Sequence, residues 1–345
     1  MVSTPRVAIQ RIEPRVKRIA SKAIVVSAAV LVGACSAGSG GGGAAASKVE
    51  MPSASGLSPI DGSASDPSTS TSTGRPASVP STPGSSLPTK GGGGDAPRPS
   101  GDGAPLSPGP ILFVALGDSL TEGSGDDSGQ GGFVGRLGAT IDSGSRAGSE
   151  VLNLGKSGWD SSQVIAGTDG EPSQLVAAEA RIRETVAGGR SALATVLVGS
   201  NDLWYLYEYG SQDGTTESEE ADNLAAYQAN LDAIVRRLDD AGARVVIAIN
   251  DDQSRRPVAT DSAMREATLP ATTASEMQRM SGQARRYADV VRTVASTHGA
   301  VVVDFLDAPL FRDPKTLADD GIHPNEAGYA QMADIWLEAI RPMIG

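Results

Sequence analysis

The 345-residue chain contains two histidines, and one of them closes the run Asp320-Gly321-Ile322-His323. An imidazole titrates near neutral pH and is the side chain most often used to take a proton from a weak nucleophile. A carboxylate three residues earlier can turn back to bond the second ring nitrogen and fix the tautomer. Asp319 is a competing carboxylate, but a separation of three within a turn brings side chains to the same side, which favours Asp320. The nucleophile such a pair would serve is Ser119 in Gly117-Asp118-Ser119-Leu120, because a hydroxyl becomes reactive only beside a base. Negative charge developing on a tetrahedral intermediate needs donors fixed in advance. The backbone N–H groups of Ser119 and Gly158 and the side-chain amide of Asn201, in Gly199-Ser200-Asn201-Asp202, could supply three. Glycine at 158 suits close approach of backbone to a ligand. The other histidine, His298, precedes Gly299 at a predicted helix C-terminus, where a cation is favoured on structural grounds alone.

What must position these residues is a series of apolar runs alternating with helical periods from Ile111 onward. Residues 111–116, 150–154, 192–198, 244–249 and 300–305 read as strands. Helical spacing covers 133–141, 174–186, 275–297 and 326–340, and a capping box of Thr216 and Glu219 opens a further helix through Asp240. The strands are continuous apolar runs, as expected of a parallel sheet covered on both faces by helices. Ligands bind an open parallel sheet beyond the carboxyl ends of its strands, near the point where strand order reverses. Ser119 follows the first strand, Gly158 the second, Asn201 the third, and His323 lies after the fifth, so all four fall on that rim.

Taken together and in this order, the blocks at 117–120, 199–202 and 320–323, with Gly158 between them, resemble the SGNH hydrolases, also called GDSL esterases and lipases. The resemblance covers essentially all of residues 111–345. It implies an α/β, three-layer α/β/α flavodoxin-like fold with a five-stranded parallel sheet in the order 2-1-3-4-5. It implies hydrolysis of acyl esters or thioesters, with no metal and no cofactor. It also implies catalytic roles for Ser119, Asp320 and His323 and an oxyanion hole built from Ser119, Gly158 and Asn201. Residues 203–223 and 251–274 match none of these blocks, and such regions usually decide substrate.

The first 110 residues have a different character. Residues 1–34 carry Arg6, Arg11, Arg15, Lys17, Arg18 and Lys22 against the single Glu13, then an apolar run over 23–34. That is the pattern of an export signal. As a helix the apolar run would reach about 18 Å, short of the roughly 30 Å of a bilayer core. Val32-Gly33-Ala34-Cys35 resembles the lipobox of bacterial lipoproteins, with valine where leucine is usual, and implies lipidation of Cys35 and attachment to a membrane; plain secretion is the alternative. Residues 35–110 are dominated by Gly, Ser, Pro, Thr and Ala, which cannot bury enough apolar area to offset ordering entropy and so predict a disordered linker. As a flexible coil it would reach roughly 50 Å. The expected organisation is a signal peptide at 1–34, a linker at 35–110 and a catalytic domain at 111–345.

Composition narrows the partners. The formal charge is −12, and the basic signal makes the remainder more acidic still, so a nucleic acid is not expected to bind. Gly123-Ser124-Gly125 is followed by Asp126 and Asp127, which would repel a phosphate. Two histidines and one cysteine make a poor zinc site. The run Glu217, Glu219, Glu220 and Asp222 reads as a favourable helix first turn. Trp204, Tyr205, Tyr207 and Tyr209 crowd just after Asn201, either as a wall for an acyl group or sugar or as a lid packed on the core. Three functions compete. The first is an exported esterase or lipase acting on a small acyl ester, a lipid or an acylated sugar. The second is an acyltransferase to a sugar or lipid alcohol using the same site. The third is a non-catalytic surface lipoprotein that binds a ligand, which the intact Ser, Asn, Asp and His argue against.

Overall fold

The computed structural model describes residues 105–168, 170–208 and 214–345. The expected signal segment, Cys35, most of the expected linker and Tyr209 lie outside these residues.

Five strands, β1 (Leu112–Gly117), β2 (Glu150–Asn153), β3 (Ala192–Leu197), β4 (Ala243–Ile249) and β5 (Val301–Asp304), form one sheet in the order β2-β1-β3-β4-β5. Every pairing is parallel. This is the order that the family resemblance implies. The central strands β1 and β3 are buried along their whole length, because helices cover both faces. Alternation along β1 divides the core: Leu112, Val114 and Leu116 point to one layer, Ile111, Phe113 and Ala115 to the other.

The first layer contains α3 (Ser161–Ala166), α4 (Gln174–Ala187), α5 (Ser200–Glu208), α6 (Glu217–Asp240) and α9 (Ala274–His298). The second is built on α2 (Gly132–Ile141) and α10 (Glu326–Ile344), where Phe133 stacks on Trp336 with ring centroids 5.3 Å apart. Short helices α1 (Ser119–Glu122), α7 (Pro257–Thr260) and α8 (Ser262–Thr268) complete the set. The capping box expected of Thr216 and Glu219 opens α6, and a second one, Thr273 with Glu276, opens α9.

Several details differ from the sequence expectation. Helices α3, α5, α7 and α8 lie where no helix is expected, because a short helix offers too few turns for its period to stand out. Helix α10 runs past residue 340 and through Pro342, since burial of Met343 and Ile344 holds its last turn. Glu217, Glu219 and Glu220 do lie in the first turn of α6, but Glu220 also has partners beyond it. It is buried and accepts hydrogen bonds from the Tyr207 hydroxyl at 2.6 Å, Arg279 at 2.9 Å and Arg286 at 2.8 Å.

Packing also extends N-terminal of Ile111. Leu106 is buried and its N–H donates to Met343 O at 2.8 Å. Arg146 secures this corner. Its guanidinium is buried and donates to the carbonyls of Ile344 at 2.6 Å and of Ser107 and Gly109 at 3.1 Å each. It has no carboxylate partner among the described residues, so the cation is held by backbone dipoles alone. Arg146→Met should fill the space but strand those carbonyls. The expected loss is about 2–4 kcal/mol, seen as a lower urea midpoint at unchanged slope.

Candidate active site

The site begins where β1 meets β3. A Cβ on Gly117, whose φ is +153°, would lie 2.0 Å from Leu197 O, so only glycine fits. The side-chain amide of Gln174, on α4, pairs with both faces of this residue: Gly117 N–H donates to Oε1 at 2.9 Å and Nε2 donates to Gly117 O at 2.8 Å. The chain then turns at once into α1, with Asp118 as its cap accepting from Leu120 N–H at 3.0 Å. Ser119 is left half-exposed at the rim. Asp118 itself is completely buried, and its second oxygen has no hydrogen-bond partner among the described residues. Burial pushes its pKa up to about 7, against the opposing pull of the Leu120 N–H and the positive fields of Arg256 and His323.

His323 reaches the same point from the far side of the sheet. Its Nε2 lies 2.9 Å from Ser119 Oγ and its Nδ1 lies 2.6 Å from Asp320 Oδ2. The other Asp320 oxygen accepts from the N–H groups of Ile322 at 2.8 Å and His323 at 3.0 Å. Partial burial alone would raise the Asp320 pKa, but the hydrogen bond and charge of His323, with the two N–H groups, bring it down to about 2. Asp319 is exposed and makes no hydrogen bond among the described residues. The loop is closed by Ala318 N–H on His323 O at 2.8 Å and Gly321 N–H on Ala318 O at 3.0 Å. Such a chain of groups can move a proton from a hydroxyl to an imidazole while a carboxylate keeps the ring oriented.

Gly158 and Asn201 come from neighbouring segments, and Ser157 N–H, just before Gly158, donates to Glu122 of α1 at 2.9 Å. Gly158 has φ +79°, and neither its N–H nor that of Ser119 donates to any group among the described residues. Asn201, in the first turn of α5, uses one amide hydrogen on Trp159 O at 2.8 Å and retains a second. The aromatic cluster divides by position. Tyr207 is buried with its hydroxyl on Glu220, Trp204 packs against the core, and the Tyr205 hydroxyl donates to Gly158 O at 2.8 Å. His298 is elsewhere, 2.8 Å from Asp232 at the end of α9, where Gly299 caps the helix at φ +65°.

Sequence reasoning missed the buried ion pair of Arg256 and Asp251, both 2% exposed, which joins at 2.8 Å and 2.5 Å. Arg256 lies 5.1 Å from the Phe311 ring centroid and interacts with the charges of Asp118 and Asp320. These residues fall within 251–274, where no motif draws attention to them. The unbroken apolar run from Ile111 to the Asp118 position was the only sign that Asp118 would be buried.

The family model described as the GDSL-like lipase/acylhydrolase family matches residues 115–331. No curated protein matches the chain. Among solved structures, an α/β hydrolase from the metagenome of Lake Arreo, Spain, is 23% identical, with 68% of this chain and 96% of that chain covered and a TM-score of 0.42. The acetylxylan esterase Axe2 of Geobacillus stearothermophilus is 20% identical, over 67% and 94% of the two chains, with a TM-score of 0.43. TesA is 18% identical, over 67% and 98%, with a TM-score of 0.47.

The Asp118 carboxyl makes stability depend on pH. With a folded pKa of about 7 against an ordinary 3.8, it binds its proton more tightly folded than unfolded. Its contribution is therefore complete below about pH 4 and is lost as pH rises to about 7. Asp118→Asn retains an oxygen for Leu120 N–H but never ionises. Thermal melts should show no change in Tm at pH 4 and a rise of roughly 10 °C at pH 8. An equal shift at both pH values would mean the carboxyl is not titrating.

Proposed function

The chain belongs to the GDSL-like lipase/acylhydrolase family, and on that premise we propose that it is a serine hydrolase of carboxylic esters. The observation that carries the reading is the unbroken line from Ser119 Oγ to His323 Nε2 at 2.9 Å and from His323 Nδ1 to Asp320 at 2.6 Å. In this reading His323 takes the hydroxyl proton as Ser119 Oγ attacks the ester carbonyl. The N–H groups of Ser119 and Gly158 and the free amide hydrogen of Asn201 receive the negative charge on the carbonyl oxygen. Collapse expels the alcohol, which takes the proton from His323, and leaves an acyl group on Ser119. Water, deprotonated by His323, then attacks the acyl carbon, and His323 returns the proton to Ser119 Oγ as the acid leaves. The Asp320 side chain is 43% exposed and that of His323 is 21% exposed, which favours water over a second alcohol as acceptor. The substrate class is a small acyl ester, a lipid ester or an acylated sugar.

A fluorophosphonate should label Ser119, and Ser119→Ala should abolish labelling and lower kcat by about 10³-fold or more. Asp320→Asn should cost roughly 10² to 10⁴ in kcat, while Asp319→Asn stays within about three-fold of the parent. Full activity of the alanine variant would end the serine-hydrolase reading, and a crippled Asp319 variant would reassign the acid.

We further propose that the enzyme is exported. The basic segment, the apolar run and Cys35 support an exported protein held to a membrane by a lipidated cysteine, with residues 35–110 as its tether. Cys35→Ser should move the protein from the detergent phase to the aqueous phase in a partition assay; equal partitioning of both forms would dismiss the lipid anchor.

A further inference from the structure

We propose that Tyr205 and Glu122 are positioning residues that hold the turn at residues 156–159 in the one orientation that aims the Gly158 N–H at a bound ester. The inference rests on the oxyanion role given to Gly158 above. Lys156, Ser157, Gly158 and Trp159 form a four-residue turn closed by Trp159 N–H on Lys156 O at 3.2 Å. Gly158 is its third residue, and its φ of +79° has the sign that a type II turn needs and a type I turn excludes. The two turn types differ by rotation of the central peptide, here Ser157–Gly158, through about half a revolution. That peptide carries the Gly158 N–H. Rotated, it would present the Ser157 carbonyl to the oxyanion in place of a donor, which reverses the local dipole.

Glycine adopts both signs of φ readily, so the turn itself does not choose. The choice comes from the peptides on either side. Before the central peptide, Ser157 N–H donates to Glu122 Oε2 at 2.9 Å. After it, Gly158 O accepts from the Tyr205 hydroxyl at 2.8 Å. Both groups come from helices that already carry site residues. Glu122 closes the turn that Ser119 opens, and Tyr205 stands four residues after Asn201, on the same side of α5. Helix α5 also grips the chain just beyond: Asn201 Nδ2 donates to Trp159 O at 2.8 Å, and Ser161 N–H donates to Asp202 at 2.9 Å. The Tyr205 hydroxyl lies 3.4 Å from where a Cβ on Gly158 would be, close enough to obstruct a swing of the turn in that direction.

Removing one such hydrogen bond shifts a two-state equilibrium about five- to ten-fold. Tyr205→Phe keeps the ring and deletes the hydroxyl. It should lower kcat measurably, by up to about five- to ten-fold, at unchanged KM and leave Tm within about 2 °C. A trifluoromethyl ketone, which forms a tetrahedral oxyanion on Ser119, should lose affinity in the same proportion as kcat falls. Glu122→Ala should behave alike, and Glu122→Gln, whose side-chain carbonyl can still accept from Ser157 N–H, should recover most of the loss. Two results overturn the clamp. One is parental kcat in both Tyr205→Phe and Glu122→Ala; the other is a fall in Tm with no change in ketone affinity relative to KM. If Tyr205→Phe does not fold, the comparison of Glu122→Ala with Glu122→Gln decides. Fluorophosphonate labelling of the parent separates the two levels: no labelling removes the oxyanion reading itself, whereas normal labelling with parental kinetics in the variants removes only the clamp.

Discussion

The candidate site depends on how closely β1 and β3 approach at Gly117, where any side chain would collide with the Leu197 carbonyl. That approach lets the chain leave the sheet at once, and the paired amide of Gln174 satisfies the peptide groups that leaving would otherwise strand. Ser119 therefore emerges at the rim and not in the core. The same strand end guides its neighbour, since Leu154 N–H donates to Ala115 O at 2.9 Å and Lys156 N–H to Gly117 O at 3.1 Å. These bonds carry the chain past β2 along the end of β1 and toward α1, where Ser157 N–H donates to Glu122 Oε2 at 2.9 Å. Asn201 follows from the end of β3. Three of the five candidate residues thus take their positions from one point of contact at the place where strand order reverses.

His323 has no such guidance from its strand, because eighteen residues separate it from the end of β5 at Asp304. Its position comes from local bonds. Asp320 binds the ring and the backbone of His323 together, and Ala318 N–H donates to His323 O at 2.8 Å. Asp118 and Asp320 flank Ser119 and His323 with opposite protonation behaviour. The first is buried, with one oxygen lacking a hydrogen-bond partner among the described residues, and rises to about 7; the second is hydrogen-bonded and falls to about 2. Environment alone separates two identical side chains, as is common where a site needs one carboxylate ionised throughout. The buried Arg256–Asp251 pair stands behind both. Such a pair is weak evidence for added stability, and its clearer effect is the positive field at Asp118.

How much of this could be read from the chain follows from the range of the forces involved. The strands were legible because burial on both faces makes them continuous apolar runs, and the order of the motifs along the chain matched the order of strand ends. The long helices α6 and α9 were legible from period and capping residues. The pairing of His323 with Asp320 was legible because it is local, three residues within one loop. What was not legible is contact between segments distant in sequence. Nothing in the composition of 251–274 shows that Arg256 meets Asp251 under the site, or that Gln174 reaches Gly117 across 57 residues. Arg146 gave no sign that it would be buried against the carbonyls of residues 107, 109 and 344.

Helix α5 shows the limit most sharply. Its aromatic residues invited a single reading, as a ligand wall or as a core lid, yet they divide according to helical phase. Asn201 and Tyr205, four apart, face the turn at Gly158, whereas Leu203 and Tyr207, also four apart, are buried toward the core. Composition treats Tyr205 and Tyr207 alike, but their hydroxyls meet different partners: a backbone carbonyl of the candidate oxyanion turn and a buried carboxylate between α6 and α9. Only the start of the helix at Ser200 sets that phase, and the start is set by the end of β3. The division of the aromatic cluster is thus a further consequence of where the central strands stop.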